Sequence, residues 1–281
     1  QYAYTLSAGN GAKTIYAQAV DTAGNVSDYV YTTIGYYGGL INADIQPPDI
    51  LSLPTANNSF EFTSATYGAS IEINHEASPT VAGITVYNNA PTIDFVNGLT
   101  PVGKYFDFSV DNHDLTTNSA FPAFIRIYYT DQDLTNAGVS NESQLLGAYF
   151  YNSATERWEQ FTQTGKVITG ITFANGIQYA GYVWAVADHL TPIVIGADVV
   201  APNAPVNFQA MFINGKAELS WDTVSDATGY IVRYTVDGVV KQVQISATST
   251  SVSIDADKKY SEFRVASTDS VSNISQYISP A

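Results

Sequence analysis

Cysteine is absent from the 281-residue chain, which excludes disulfides, thiolate zinc sites and cysteine nucleophiles. Charged residues are scarce, at 13% of the sequence, and only 11 Lys and Arg stand against 26 Asp and Glu. The net charge of −15 opposes binding to nucleic acid or to anionic membranes, because both need basic surface. No apolar run is long enough to cross a membrane as a helix. We therefore expect neither a nucleic-acid partner nor membrane insertion, whereas the acidic excess permits cation binding.

The residues that are present favour β-structure, since apolar and polar positions alternate and helical periodicity is nearly absent. Ile125, Ile127 and Tyr129 alternate with Arg126 and Tyr128, as in a half-buried strand. Asn or Asp followed by Gly marks several two-residue hairpin turns, because these residues tolerate positive φ. The pairs are Asn97-Gly98, Asn175-Gly176, Asn214-Gly215 and Asp237-Gly238. The pattern predicts an all-β fold of tandem β-sandwiches.

Proline and glycine pairs predict the domain boundaries. One linker runs from Gly38-Gly39 to Pro47-Pro48, and a second contains Pro202 and Pro205. The predicted divisions are a partial domain at 1–45, a central sandwich at 46–198 and a C-terminal domain at 199–281. The central segment holds fifteen acidic and four basic residues. One short helix is predicted there, with a capping box from Thr130 to Asp133 and a stop at Gly138.

Residues 201–281 resemble a fibronectin type III domain. The resemblance rests on Pro202 and Pro205 at the entry, on Leu219-Ser220-Trp221, on the segment 227–234, and on Tyr260 with Phe263 and Val265. It implies that Trp221 lies in the core and that Tyr260 is a tyrosine-corner residue. Domains of this kind are usually spacers or binding platforms.

An internal repeat links the two ends of the chain at an offset of 248 residues. Asp21 and Asn25 correspond to Asp269 and Asn273, and residues 15–29 as a whole correspond to 263–277. Residues 1–33 accordingly resemble the tail of a bacterial Ig-like domain, of which only the last strands are present. The missing strands are expected either upstream in a longer chain or in a neighbouring subunit that donates them.

The central segment resembles a ZU5-like β-sandwich module of microbial surface proteins. The resemblance rests on the segments 101–107, 125–131 and 146–151 with Trp158, and on 189–196. No catalytic role is implied. His75, His113 and His189 form no hydrolase or zincin motif, and His189 is expected to be structural.

Acidic residues of the central segment are candidate calcium ligands, because Ca²⁺ needs six to eight oxygen ligands. They are Asp107, Asp111, Asp114, Asp131 and Asp133. The alternative is a solvated acidic surface together with a helix N-cap. The two Asp–Asn turns could also hold Ca²⁺ between domains, although hydrogen bonding within each turn is the stronger interpretation.

The sequence favours a non-catalytic, secreted or cell-surface structural protein, such as a component of an S-layer, fibre, sheath or adhesin stalk. Its expected partners are further copies of itself or neighbouring surface domains. One alternative is an accessory region of a secreted hydrolase. Another is a carbohydrate-binding module that binds glycans through exposed tyrosines, although Trp158 and Trp184 have the sequence context of core residues.

Overall fold

A computed structural model describes most of the chain as antiparallel β-sheet. The described residues are 11–28, 30–37, 40–42, 46, 48–53, 58–75, 80–87, 98–110, 122–152, 154–190, 192–255 and 260–281. The chain forms two compact units, Gln1–Asp198 and Val199–Ala281. The all-β fold class is confirmed, whereas the three-part division stays a prediction.

The first unit begins with a three-stranded antiparallel sheet in the order β1-β2-β3. Its strands are β1 (Gly11–Ala17), β2 (Val30–Tyr37) and β3 (Leu40–Asn42). The chain between β1 and β2 contains the first Asp–Asn turn, closed by an isolated bridge between Val20 and Val26.

The central sandwich follows in the same unit and consists of two larger antiparallel sheets and one small hairpin. One sheet has the order β11-β10-β16-β8-β7-β4, the other has the order β12-β15-β9-β6-β5, and β13 pairs with β14. The strands are β4 (Asp49–Leu53), β5 (Asn58–Ser64), β6 (Ala69–His75), β7 (Thr80–Tyr87), β8 (Thr100–Val110), β9 (Ala123–Tyr129), β10 (Leu145–Asn152), β11 (Arg157–Gln160), β12 (Thr164–Val167), β13 (Ile171–Thr172), β14 (Gln178–Tyr179), β15 (Gly181–Ala187) and β16 (Ile193–Ala197).

Alternation positions the core of this sandwich as predicted. On β9 the side chains of Ile125, Ile127 and Tyr129 are buried, while Arg126 and Tyr128 are partly exposed. The neighbouring β15 has the same pattern of burial. Because successive strand residues point to opposite sides, these two strands divide their side chains between the core and the outer face.

The predicted short helix is confirmed as α1 (Asp131–Asn136). Thr130 is its N-cap and forms a reciprocal capping box with Asp133, and Gly138 after it has a positive φ of 72°. A single 3-10 turn, η1 (Glu142–Gln144), follows and leads into β10.

The second unit has the two-sheet arrangement expected of a fibronectin type III fold. Its sheets have the orders β17-β18-β21 and β20-β19-β22. The strands are β17 (Gln209–Ile213), β18 (Lys216–Ser220), β19 (Gly229–Val236), β20 (Val239–Ser246), β21 (Ser251–Asp255) and β22 (Tyr260–Thr268). Asn214-Gly215 and Asp237-Gly238 have positive φ at both positions, which confirms these predicted hairpin turns.

The core of the second unit is centred on Trp221, as predicted. Its indole is buried and lies 6.2 Å from the ring of Phe208 and 5.3 Å from the ring of Tyr230, both nearly edge-on. These contacts combine apolar burial with a favourable aromatic geometry. The side chain of Tyr260 lies outside the described residues, so its tyrosine-corner role stays a prediction.

Candidate functional site

The predicted calcium ligands lie in different environments. Asp107 is buried on β8 and accepts a hydrogen bond of 2.9 Å from the Tyr87 hydroxyl. Asp133 is engaged in the capping box, where its Oδ2 accepts from the Thr130 amide at 2.8 Å. Asp131 is exposed in the first turn of α1. Each of the three therefore fits an ordinary structural position.

The remaining two candidates, Asp111 and Asp114, lie outside the described residues. Within the described ranges, no three His, Asp or Glu side chains gather into a group that could hold a metal ion. The calcium site as a whole therefore stays a prediction.

Partly buried polar groups of the central sandwich take part in structural hydrogen bonds. The Lys166 ammonium donates to the carbonyl oxygens of Glu142, Ser143 and Leu145 at 2.7, 3.0 and 2.6 Å, which ties η1 to the sheet. Burial lowers the pKa of Lys166, and nearby Glu142 opposes that shift. The Tyr129 hydroxyl donates to Glu142 Oε1 at 2.9 Å, and burial followed by this hydrogen bond raises the pKa of Tyr129.

An open cleft of about 590 Å³ lies beside these groups, between the α1–η1 segment and the β13–β14 hairpin. Asp131 and Glu142 contribute its charged side chains, and Leu134, Val139 and Tyr179 contribute apolar surface. Glu142 is already held by Tyr129, and Asp131 lies in the first turn of the helix. The cleft presents no nucleophile paired with a base.

His189 is also in a structural position. Its ring lies edge-on to Phe150 at 4.5 Å between centroids, and its Nδ1 lies 2.5 Å from the carboxylate of neighbouring Asp188. His113 and the side chain of His75 lie outside the described residues.

Aromatic residues cluster on the outer side of the five-stranded sheet. We define the aromatic face as Phe124, Arg126, Tyr128, Tyr182 and Trp184, all of which are partly exposed. Phe124 and Trp184 are nearly parallel, with centroids 5.4 Å apart and planes 18° apart, and the Arg126 guanidinium lies 4.6 Å from the Phe124 centroid. The rings of Tyr128 and Tyr182 are 5.3 Å apart.

The aromatic face is bounded by charge on one side and by a hairpin at one end. Arg126 forms ion pairs of 2.8 Å with Glu61 and 3.2 Å with Glu72, on β5 and β6. Phe173, in the turn of the β13–β14 hairpin, meets Tyr128 edge-on at 4.7 Å. Burial is the main cause that raises the pKa of Tyr128.

The interpretation of Trp184 as a core residue was wrong, although Trp158 is buried as expected. The alternation of β15 provides the missed signal. Val183, Ala185 and Ala187 are buried, so Trp184 between them must face outward. The alternation of inward and outward positions along β15 therefore decides the orientation of Trp184, against the usual preference of tryptophan for the interior.

The two Asp–Asn turns have the same hydrogen-bond network. In the first, Asp21 Oδ1 accepts from the amides of Ala23 and Asn25 at 2.8 and 2.9 Å, and its Oδ2 accepts from Asn25 Nδ2 at 2.7 Å. In the second, Asp269 accepts in the same way from Val271 and Asn273, at 3.0, 2.9 and 2.8 Å. The predicted side-chain hydrogen bonding is confirmed, and it accounts for the Asp–Asn spacing without a metal.

The two turns differ in what covers them. In the second copy, Ser267, Asn273 and Ser275 are buried, and Asn273 Nδ2 also donates to the Val200 carbonyl at 3.2 Å. Ser267 Oγ donates to the carbonyl of Asn203. The corresponding residues of the first copy, Ala19, Asn25 and Ser27, are all exposed.

Comparison with known proteins adds little to this geometry. No protein-family model and no curated protein matches the chain. Among solved structures, the spore cortex lytic enzyme SleM of Clostridium perfringens is similar at 14% identity and a TM-score of 0.25, over 43% of this chain. The chain thus spans 38% of the length of that enzyme.

The FN1-FN3 domains of chicken CNTN1 are similar at 10% identity and a TM-score of 0.29, covering 83% of this chain and 97% of that one. Such low identities and TM-scores carry no conclusion about function. In the described part of the chain, no helix has the length and apolar character needed to span a membrane. The fold itself defines a modular chain of antiparallel β-sandwiches.

Proposed function

We propose that this protein is a non-catalytic structural component of an extracellular assembly, such as an S-layer, fibre, sheath or adhesin stalk. The observation that carries the proposal is the exposed first Asp–Asn turn. In the second unit the matching turn is covered by residues 200–203, whose carbonyl oxygens accept hydrogen bonds from Asn273 and Ser267. The first copy presents the matching amide of Asn25 without that cover, and Ala19 replaces the second donor, Ser267.

Apolar exposure at the first turn supports the same conclusion. Val20, Val26 and Val30 are 66%, 56% and 69% exposed. Their burial under an extended segment would be favourable, at about 25 cal/mol for each Å² of apolar surface removed from water. A β-sandwich module of a neighbouring subunit is the proposed source of this segment.

Electron microscopy of the material as isolated from cells tests the proposal. Negative staining should show ordered filaments or a lattice if neighbouring copies cover the exposed turn. Single rod-like particles at all concentrations would contradict it. Parallel grids with a calcium chelator would show whether Asp107, Asp111, Asp114, Asp131 and Asp133 contribute to assembly.

Position-specific crosslinking identifies what covers the turn. A photoreactive residue in place of Val26 should crosslink to another copy of the protein in the assembled material, whereas a photoreactive residue in place of Ile278, which is partly buried and pairs with Val265 in the second unit, should crosslink within its own chain. Crosslinks from position 26 that stay within one polypeptide would contradict the neighbouring-subunit source.

A further inference from the structure

The aromatic face has an unusual composition for the outer side of a sheet. An antiparallel sheet that packs one face on the core usually presents polar residues to solvent. Here the six outward positions of β9 and β15 are Phe124, Arg126, Tyr128, Tyr182, Trp184 and Val186. Only one of the six is charged, and the four aromatic rings contact one another as pairs. A contiguous face of this kind is typical of a binding surface.

Trp184 is held in place by a glycine on the edge strand. Gly165 on β12 lies directly opposite Trp184 in the register. A Cβ at Gly165 would be 2.7 Å from Cζ2 and 2.9 Å from Nε1 of the indole. The indole therefore lies against the backbone of β12, a position that any other residue at 165 would obstruct. This contact fixes the orientation of the indole before a ligand binds, which lowers the entropic cost of binding.

The charged groups on this surface indicate what kind of partner it fits. Arg126, Glu61 and Glu72 retain 19%, 44% and 37% side-chain exposure although they are paired. A protein partner would have to bury all three, and the centres of protein interfaces are depleted of charge because desolvation is costly. A ligand rich in hydroxyl groups could instead donate hydrogen bonds to the carboxylates and accept them from the guanidinium.

We propose that the aromatic face, together with Glu61 and Glu72, binds a neutral polysaccharide. The apolar C–H groups of the sugar rings pack against the exposed parts of the four aromatic side chains, while their hydroxyls bond to Arg126 and the two carboxylates. A polyanion is excluded by the charge of the chain, which is −15 overall. Phe173 of the β13–β14 hairpin contacts Tyr128 at one end of the face.

Calorimetric titration of the full chain with neutral hexasaccharides tests the proposal. Cellohexaose, xylohexaose and chitohexaose are the probes, and heparin is the anionic comparison. We expect at least one neutral hexasaccharide to bind, and Trp184→Ala to weaken that binding at least about tenfold, because one stacked ring is lost. Phe212→Ala is the matched control, since it removes an aromatic ring that is 63% exposed on the second unit.

A second variant tests the contact between the Trp184 indole and Gly165 without removing any aromatic ring. Gly165→Ala keeps all four aromatic side chains but displaces the indole, so it should also weaken binding, with the circular dichroism spectrum unchanged. Binding of heparin alone, or no binding of any hexasaccharide, would overturn the proposal. Unchanged affinity in both variants would also overturn the proposal. The same holds if sedimentation shows that the wild-type chain self-associates and that Trp184→Ala only abolishes this self-association.

Discussion

Individual buried polar residues show how the central sandwich accommodates polar side chains in its interior. Asp107 is 4% exposed and Tyr87 is 1% exposed, yet the two belong to neighbouring strands, and the tyrosine hydroxyl reaches the carboxylate at 2.9 Å. A buried carboxylate without such donors would cost several kcal/mol in lost hydration. The pair is therefore a structural unit, which is a sufficient reason for an aspartate at this position.

Removal of the Tyr87 hydroxyl should destabilise the central sandwich. Tyr87→Phe keeps the ring but removes the hydroxyl that donates to buried Asp107, which is expected to lower the free energy of unfolding by about 1–3 kcal/mol. Urea denaturation followed by circular dichroism measures the change. Tyr182→Phe, on the outer face, is the control and should change the value by less than about 0.5 kcal/mol. Equal effects of the two variants would contradict the structural role of the pair.

Protonation provides a second test at the residue scale, in the first Asp–Asn turn. The side-chain hydrogen bond from Asn25, followed by the backbone hydrogen bonds, lowers the pKa of Asp21 from its ordinary 3.8. A carboxyl with a lowered folded-state pKa stabilises the turn above its ordinary pKa, and that contribution is lost as the pH falls through the lowered value. NMR titration of the Asp21 carboxyl carbon should show this low pKa, and Asn25→Ala should raise it. A pKa unaffected by Asn25→Ala would contradict the assignment.

Among the elements, those with local signals were predictable from the sequence. The capping box from Thr130 to Asp133 and the Asp–Asn turns are specified within five residues, so their geometry follows from the sequence. The outward position of Trp184 also follows from the alternation of β15, but the apolar character of tryptophan by itself favours the core, so the two signals conflict at this residue. The contact between Asn273 and Val200 joins residues 73 positions apart, so no local sequence pattern predicts it.

The two Asp–Asn turns allow the stability contributed by the same asparagine to be compared in a covered turn and in an exposed turn. Asn273→Ala removes donors to both Asp269 and Val200 at a buried position, so it should lower the free energy of unfolding of the second unit by about 1–3 kcal/mol. Asn25→Ala removes the equivalent bond to Asp21 in an exposed turn and should cost less than about 1 kcal/mol. Urea denaturation of each full-length variant measures the difference, and equal costs would show that the covering segment contributes no stability.

At the scale of the whole molecule, like charge opposes the assembly that we propose. Every copy carries a net charge of −15, and the sequence pI is about 4.2, so neighbouring copies repel one another at neutral pH. The chain nevertheless carries few charges for its size, and its net negative charge is concentrated in the central segment, where fifteen acidic residues stand against four basic ones. Association must then depend on how far this repulsion extends through the solvent.

Screening by salt should therefore promote assembly. An increase in NaCl from 0.01 to 0.15 M shortens the Debye length from about 30 to about 8 Å, so the sedimentation coefficient should rise as copies associate. Calcium chloride at the same ionic strength separates screening from specific binding, and we expect it to act as NaCl does. A much larger effect of calcium would contradict screening as the cause, because only bound ions distinguish the two salts. Mutation of Asp107, Asp111, Asp114, Asp131 and Asp133 to Asn would then show whether those residues bind the ion.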